Sequence, residues 1–198
     1  MWQPTLLGSG EPSIDSMFCR TERTWLDDTG WVDYVPGWVD GSTSLFEEIR
    51  ANTRWHHQRR EMYERIVDVP RLTARFPRDA NPSPLVQLMS RALSERYGFP
   101  LDRISAAYYR SGADSVAWHR DRVVRELDVG VVAIVSLGGP RTFMVRPLSG
   151  GSSTPFSFGW GDLLVMGGTS NRTWEHCVPK TTHAQPRIAL MFRHVDVG

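Results

Sequence analysis

A chain of 198 residues with 40% hydrophobic, 23% charged and 11% aromatic residues has the composition of one globular domain. This excludes a disordered, collagen-like or coiled-coil chain. The net charge of +1 withholds the broad basic character of many nucleic-acid binders, although 22 of the 23 basic residues are Arg and only Lys180 is Lys.

Arginine suits bidentate phosphate recognition, but a genome that favours Arg codons gives the same count, so the count decides nothing. The longest apolar runs, VVAIVSL (131–137) and DLLVMGG (162–168), fall well short of the ~20 residues that span a bilayer, so no membrane association is read. The opening MWQPTLLGSGEPS has neither the basic nor the apolar region of a signal peptide, which points to the cytoplasm. Cys19 and Cys177 cannot build a disulfide framework and are read as free thiols.

Residues 1–41 are rich in Gly, Pro, Asp and Trp without sustained periodicity, and read as an irregular arm with one short strand at WVDYVP. Ser44-x-x-Glu47 has the form of a capping box and, with Leu45, Phe46 and Ile49, predicts a helix over 44–52. Ser83 as cap, Pro84 at the first helical position, a stripe of Leu85, Leu88, Met89, Ala92 and Leu93, and a terminating Gly98 predict a second helix over 84–97. After Pro100 come short β-branched and aromatic runs between Gly, Pro and Asp: ISAAYYR, VVAIVSL, RTFMVRP, PFSFGW, DLLVMGG, WEHCVP and RIALMFRHV. Some seven strands with no helical pattern between them predict an antiparallel sandwich or barrel, with the helices outside one sheet.

Three groups could carry chemistry. In an extended segment His119 and Asp121 share a face, which makes them a pair of metal ligands or, more blandly, part of a surface turn. His176, after the DLLVMGG run, is a third ligand or a core histidine bonded to backbone. Two His and one carboxylate on one face form the facial triad of non-haem iron oxygenases. Arg187 lies eleven residues beyond His176, and Arg193 six further, on the same face by the period of two. Two inward arginines are costly without an anion, and a dicarboxylate chelating the metal at one end satisfies them; a solvated barrel rim is the alternative.

The runs YYRSGADSVAWHRD, FGWGDLLVMGG, WEHCVPK and PRIALMFR, in that order, resemble the core of the AlkB family of Fe(II)- and 2-oxoglutarate-dependent nucleic-acid dealkylases over roughly residues 65–195. The resemblance implies a mainly β, α+β chain folded as a double-stranded β-helix, or jelly roll. It implies His119, Asp121 and His176 as iron ligands. Tyr109 and Arg187 hold the distal carboxylate of 2-oxoglutarate, and Arg193 lies near the keto-acid end. The implied reaction is oxidative demethylation of N-alkylated bases in DNA or RNA with O2, releasing formaldehyde, succinate and CO2. The implied organisation is a single dioxygenase domain over 1–198, a monomer: the arm, helices with a nucleotide-recognition lid over 42–100, and a catalytic core over 101–198. By position in the lid, Phe76 is the candidate stacking ring, with Arg71 and Arg75 near phosphates. Trp55, His56, His57, Arg59 and Arg60 form a second aromatic and basic cluster, and Trp118 and Trp174 are candidate pocket walls; a core or edge aromatic and a solvated helix end are the bland alternatives. The chain departs from the family where Ala107 and Ala189 replace Asn, Met191 replaces Thr, and Val123 replaces a base-contacting acid. A dioxygenase of the same fold acting on a protein or small molecule, and a non-catalytic binding module, are the alternative functions.

Overall fold

The computed structural model describes residues 10–62, 65–77, 82–121 and 128–194, with side chains for all of these except 58–62 and 65–68. In chain order the elements are β1 (Ser13–Ile14), β2 (Glu22–Trp25), β3 (Gly30–Val35), β4 (Val39–Asp40), α1 (Ser42–Asn52), β5 (His56–Met62), β6 (Arg65–Phe76), α2 (Pro84–Tyr97), β7 (Arg103–Tyr109), β8 (Val116–His119), β9 (Val132–Gly138), β10 (Arg141–Pro147), β11 (Thr154–Phe158), β12 (Leu163–Gly168), α3 (Ser170–Thr173), β13 (Trp174–Val178) and β14 (Arg187–Arg193). All seven strand-like runs after Pro100 form strands.

An eight-stranded sheet, in the order β2-β3-β12-β9-β14-β7-β6-β5, faces a four-stranded sheet, β11-β10-β13-β8, and every pairing is antiparallel. The fold is a jelly roll with few helices. One face of the large sheet packs under α1 and α2, where Leu45, Ile49, Met89 and Leu93 meet Val135, Leu163, Ile188, Leu190 and Phe192. Each such fully buried side chain contributes on the order of 1.5–3 kcal/mol of transfer free energy. The other face turns toward the small sheet, where Val32, Tyr109, Ile134, Leu164 and Met166 meet Phe143, Val145 and Phe158.

Three expectations change. The segment before α1 is not an irregular arm from residue 10 onward, because β2 and β3 extend the large sheet; β3 covers the expected WVDYVP strand, but β2 is exposed throughout and so carries no alternation to read. Helix α1 begins two residues early, after Gly41 in the left-handed region at φ 61°, with no side-chain cap, so Ser44 sits inside the first turn and not at its head. A Cβ on Gly41 would lie 2.5 Å from the Gly10 carbonyl oxygen, which reserves the position for glycine. Helix α2 is capped as expected, Ser83 accepting from the Leu85 amide and Gly98 in the left-handed region. Its buried stripe, however, is Val86, Met89, Ser90 and Leu93, and Leu88 is exposed.

Candidate active site

The cavity between the two sheets is lined from β7, β8, β13 and β14 and from the start of the β6–β7 face. His119 ends β8 and His176 lies in β13, and the two are direct cross-strand partners. Their rings meet edge-on with centroids 4.3 Å apart. Asp121, two residues past His119 and 7% exposed, places Oδ2 3.8 Å from His176 Nε2. The three side chains named from the sequence therefore reach one place. His56, His57 and His183 are not among the cavity-lining residues.

The electrostatics suit a divalent cation. His119 Nδ1 lies 2.9 Å from the Ala117 carbonyl, which can only accept; Nδ1 therefore carries the proton and Nε2 keeps its lone pair. His176 is stacked on Phe143 at 4.9 Å, and its Nδ1 is buried without a hydrogen-bond partner among the described residues, so ring packing alone orients it. Burial, with His119 beside it, pushes the His176 imidazole down to about 3, and burial likewise lowers His119. Asp121 is held below the usual carboxylate range: burial opposes ionisation, but the charge and hydrogen bond of neighbouring Arg193 favour it. Two neutral imidazoles and one ionised carboxylate are the donor set a divalent metal takes without displacing protons. As they stand in this structure, no three His, Cys, Asp or Glu side chains among the described residues are gathered closely enough to hold a metal ion, so the fit rests on the chemistry of the donors. One Asp121 oxygen is committed to Arg193, at 2.6 and 2.7 Å, leaving the other for a metal. The residues fit an open site for Fe(II), not a closed structural one.

Arg193 also donates to Ser105 Oγ at 2.9 Å, so it braces the Asp121 carboxylate. At the other end of β14, Arg187 is 1% exposed and pairs in register with Tyr109. Its guanidinium stands 5.4 Å from the Tyr109 ring and 4.7 Å from Phe158, and Nε donates to Ser136 Oγ at 2.6 Å. That is its one hydrogen bond among the described residues, and no carboxylate faces it. Burial lowers its pKa to about 10. Between the two arginines, the cross-strand partners Ala107 and Ala189 keep the cavity floor low.

The substrate candidates divide. Arg71 lines the cavity, 6.0 Å from the Tyr109 ring, and exposed Arg75 shares its face of β6, opposite Ser105. Phe76 points the other way, in register with Ile104 and packed on the helix-side core. Trp55 packs on the same core, 5.2 Å from Tyr108, and Trp118 stacks under Arg146 at 4.0 Å without lining the cavity. Phe76 and Trp55 sit as packing aromatics, and Trp118 lies against Arg146. The side chains of Arg59 and Arg60, and all of Val123, lie outside the described residues. Sequence reasoning missed Ser136 and Arg141; Ser136 had a readable signal, a lone hydroxyl inside the apolar run VVAIVSL.

A jelly roll that gathers this donor set beside a buried arginine with no carboxylate partner among the described residues is the setting of an oxygenase. The chain belongs to the 2OG-Fe(II) oxygenase superfamily, whose family model matches residues 39–193. Within that class it is AlkB-like. It is 30% identical over 185 positions to the human alpha-ketoglutarate-dependent dioxygenase alkB homolog 3, covering 81% of this chain and 64% of that protein. It is 29% identical over 127 positions to the mouse DNA oxidative demethylase ALKBH2, covering 58% and 53%. The chain thus spans just under two thirds of the length of the alkB homolog 3 proteins it matches. Among solved structures, OsALKBH1 aligns with a TM-score of 0.59 at 14% identity, covering 87% of this chain and all of that one. A Trichoplax adhaerens prolyl hydroxylase in complex with a hypoxia-inducible-factor peptide fragment aligns with 0.59 at 11%, covering 82% and 83%. These two likenesses concern the fold. No described helix is long and apolar enough to cross a membrane.

Proposed function

We propose that this chain demethylates N-alkylated bases in DNA or RNA, with His119, Asp121 and His176 holding Fe(II) and with Tyr109 and Arg187 holding the distal carboxylate of 2-oxoglutarate. The bound metal and co-substrate, with O2, supply the oxidant that hydroxylates an N-methyl group, forming succinate and CO2 and releasing formaldehyde. The chain's residues orient the reactants and carry no proton of their own in the reaction. Arg193 fixes one oxygen of Asp121, so the carboxylate presents only the other. Phe143 fixes the plane of His176, and the Ala117 carbonyl fixes the tautomer of His119.

The observation that carries this reading is Arg187. A buried guanidinium with no carboxylate beside it is costly unless an anion completes it, and the cavity it faces also holds the metal donors. A dicarboxylate satisfies both ends. The nucleic-acid part rests on the AlkB relatives and on the two β6 arginines, which present cations at the cavity side of the sheet.

A second reading, oxidation of a protein side chain or small molecule, is favoured by the placement of Phe76, Trp55 and Trp118 away from the cavity. One experiment separates the two: formaldehyde release and binding measured on methylated and unmethylated oligonucleotides across a salt series. Salt-dependent binding and formaldehyde from the methylated strands support the first reading. Uncoupled succinate formation without nucleic-acid binding supports the second.

A further inference from the structure

Arg141, the first residue of β10, is a second buried guanidinium behind the co-substrate end of the cavity, and it takes no part in the roles described so far. It is 3% exposed. It stands 5.5 Å from the Tyr109 ring. Its fork reaches three carbonyls at once: Ser111 at 3.1 Å, Asp114 at 2.8 Å and Pro179 at 2.7 Å. The carboxylate of Asp114 is taken by Arg110, through both Nε and a terminal nitrogen, so Arg141 binds the backbone and not the acid.

The gripped segments matter. Ser111 and Asp114 lie in the connection from Tyr109 to the strand that ends in His119, and Pro179 directly follows the strand that carries His176. A single planar group therefore ties together the connection that enters the His119 strand and the one that leaves the His176 strand, and it stands 5.5 Å from the ring of the co-substrate tyrosine. Lysine could not replace it. An ammonium is a compact charge on a flexible stem, whereas the guanidinium offers five donors in a rigid plane and can serve separate acceptors while its face meets an aromatic ring.

We propose that Arg141 is a positioning residue for the distal carboxylate of 2-oxoglutarate, acting through the placement of Tyr109 beside Arg187. This rests on the reading of the site as a 2-oxoglutarate site. The contribution comes from the geometry of the fork, so it is specific to a ligand that carries the distal carboxylate.

The test measures equilibrium binding of two 2-oxo acids to the Fe(II)-loaded protein by calorimetry without oxygen. The first is 2-oxoglutarate; the second is 2-oxopentanoate, which keeps the metal-chelating end and has a methyl group in place of the distal carboxylate. Relative to the unmutated protein, Arg141→Lys and Arg141→Met are expected to weaken 2-oxoglutarate at least about fivefold and about tenfold, from loss of fixed charge-assisted contacts. Binding of 2-oxopentanoate is expected to change less than about twofold, since its contacts lie at the metal end. The preference for the dicarboxylate thus shrinks.

Equal weakening of both acids marks a merely structural staple and overturns the proposal, as does unchanged binding of both. Circular dichroism and melting establish that each variant folds. If Arg141→Met does not, Arg141→Lys alone decides; if neither does, Arg141 is a folding staple and the proposal fails. Absence of 2-oxoglutarate binding to the unmutated protein overturns the underlying site assignment instead.

Discussion

On β14, Ile188, Leu190 and Phe192 turn toward the helices, while Arg187, Ala189, Met191 and Arg193 turn toward the cavity. The neighbouring strands repeat the division: β9 sends Ala133, Val135 and Leu137 to the helix side and Ile134 and Ser136 to the cavity side, and β7 does the same with Ile104 and Ala106 against Ser105, Ala107 and Tyr109. The helix-facing set is apolar and tightly buried. The cavity-facing set mixes two alanines, Ile134 and Met191 with two arginines, a tyrosine and two serines, which is a poor core and a good ligand site. The same backbone thus carries stability on one face and chemistry on the other, because strand side chains alternate.

The sharpest way to break this comparison is at Asp121. Asp121→Ala removes a proposed metal oxygen and leaves half-buried Arg193 without its carboxylate, so formaldehyde release should fall by more than the ~10–100-fold typical of losing a residue that only orients a ligand. Retained turnover would remove Asp121 from the metal set. On the helix side, Leu190→Ala should cost about 2–5 kcal/mol in chemical denaturation, while the folded fraction keeps its 2-oxoglutarate affinity. Three residues earlier on the same strand, Arg187→Ala should weaken 2-oxoglutarate by about 1.5–3 kcal/mol, close to 10–100-fold, with metal affinity unchanged by calorimetry. Loss of metal binding in that variant would show that the two ends of the cavity are not separate.

Phe76→Ala sharpens the comparison at the sheet's margin. With its ring packed on the helix-side core, the variant should lose about 1–2 kcal/mol of stability, less than a fully buried Phe, and keep oligonucleotide binding. Lost binding at unchanged stability would return Phe76 to the role of reader. The smallest step is in pH. In the unfolded chain a histidine takes its proton near pH 6.5, whereas folded His176 stays neutral down to about 3 and His119 is also lowered. Between those limits the unfolded state binds more protons, so the metal-free protein should lose stability as pH falls below about 6.5, by at most ~1.4 kcal/mol per unit for each histidine. A flat melting temperature from pH 7 to 5 would contradict the burial of the pair.

The sequence made the strands after Pro100 legible because each is a short apolar run closed by Gly, Pro or Asp. His119, Asp121, His176, Arg187 and Arg193 stood out because period-two spacing places polar groups on one face. What was not legible depends on pairing that spacing does not encode. Whether Arg75 or Phe76 looks into the cavity is decided by the register Arg75↔Ser105 and Phe76↔Ile104; a slip of one residue would exchange them. The start of α1 was obscured because the left-handed Gly41, set by its approach to Gly10, displaced the apparent capping box. Arg141 was hidden because its partners are carbonyls of two distant loops, and backbone acceptors leave no mark in the amino-acid pattern.

The strand that comes last in sequence, β14, occupies the middle of the large sheet, between β9 and β7. During synthesis the earlier strands therefore emerge with a gap where their common neighbour belongs, and both cavity arginines on β14 arrive together with it. A ribosome that stops before residue 187 releases a chain holding His119, Asp121 and His176 but neither of these two cations. Completion of the sheet and competence to hold an anion thus fall at the same moment of translation. With contacts this distant in sequence, that closing step should be among the slowest in folding.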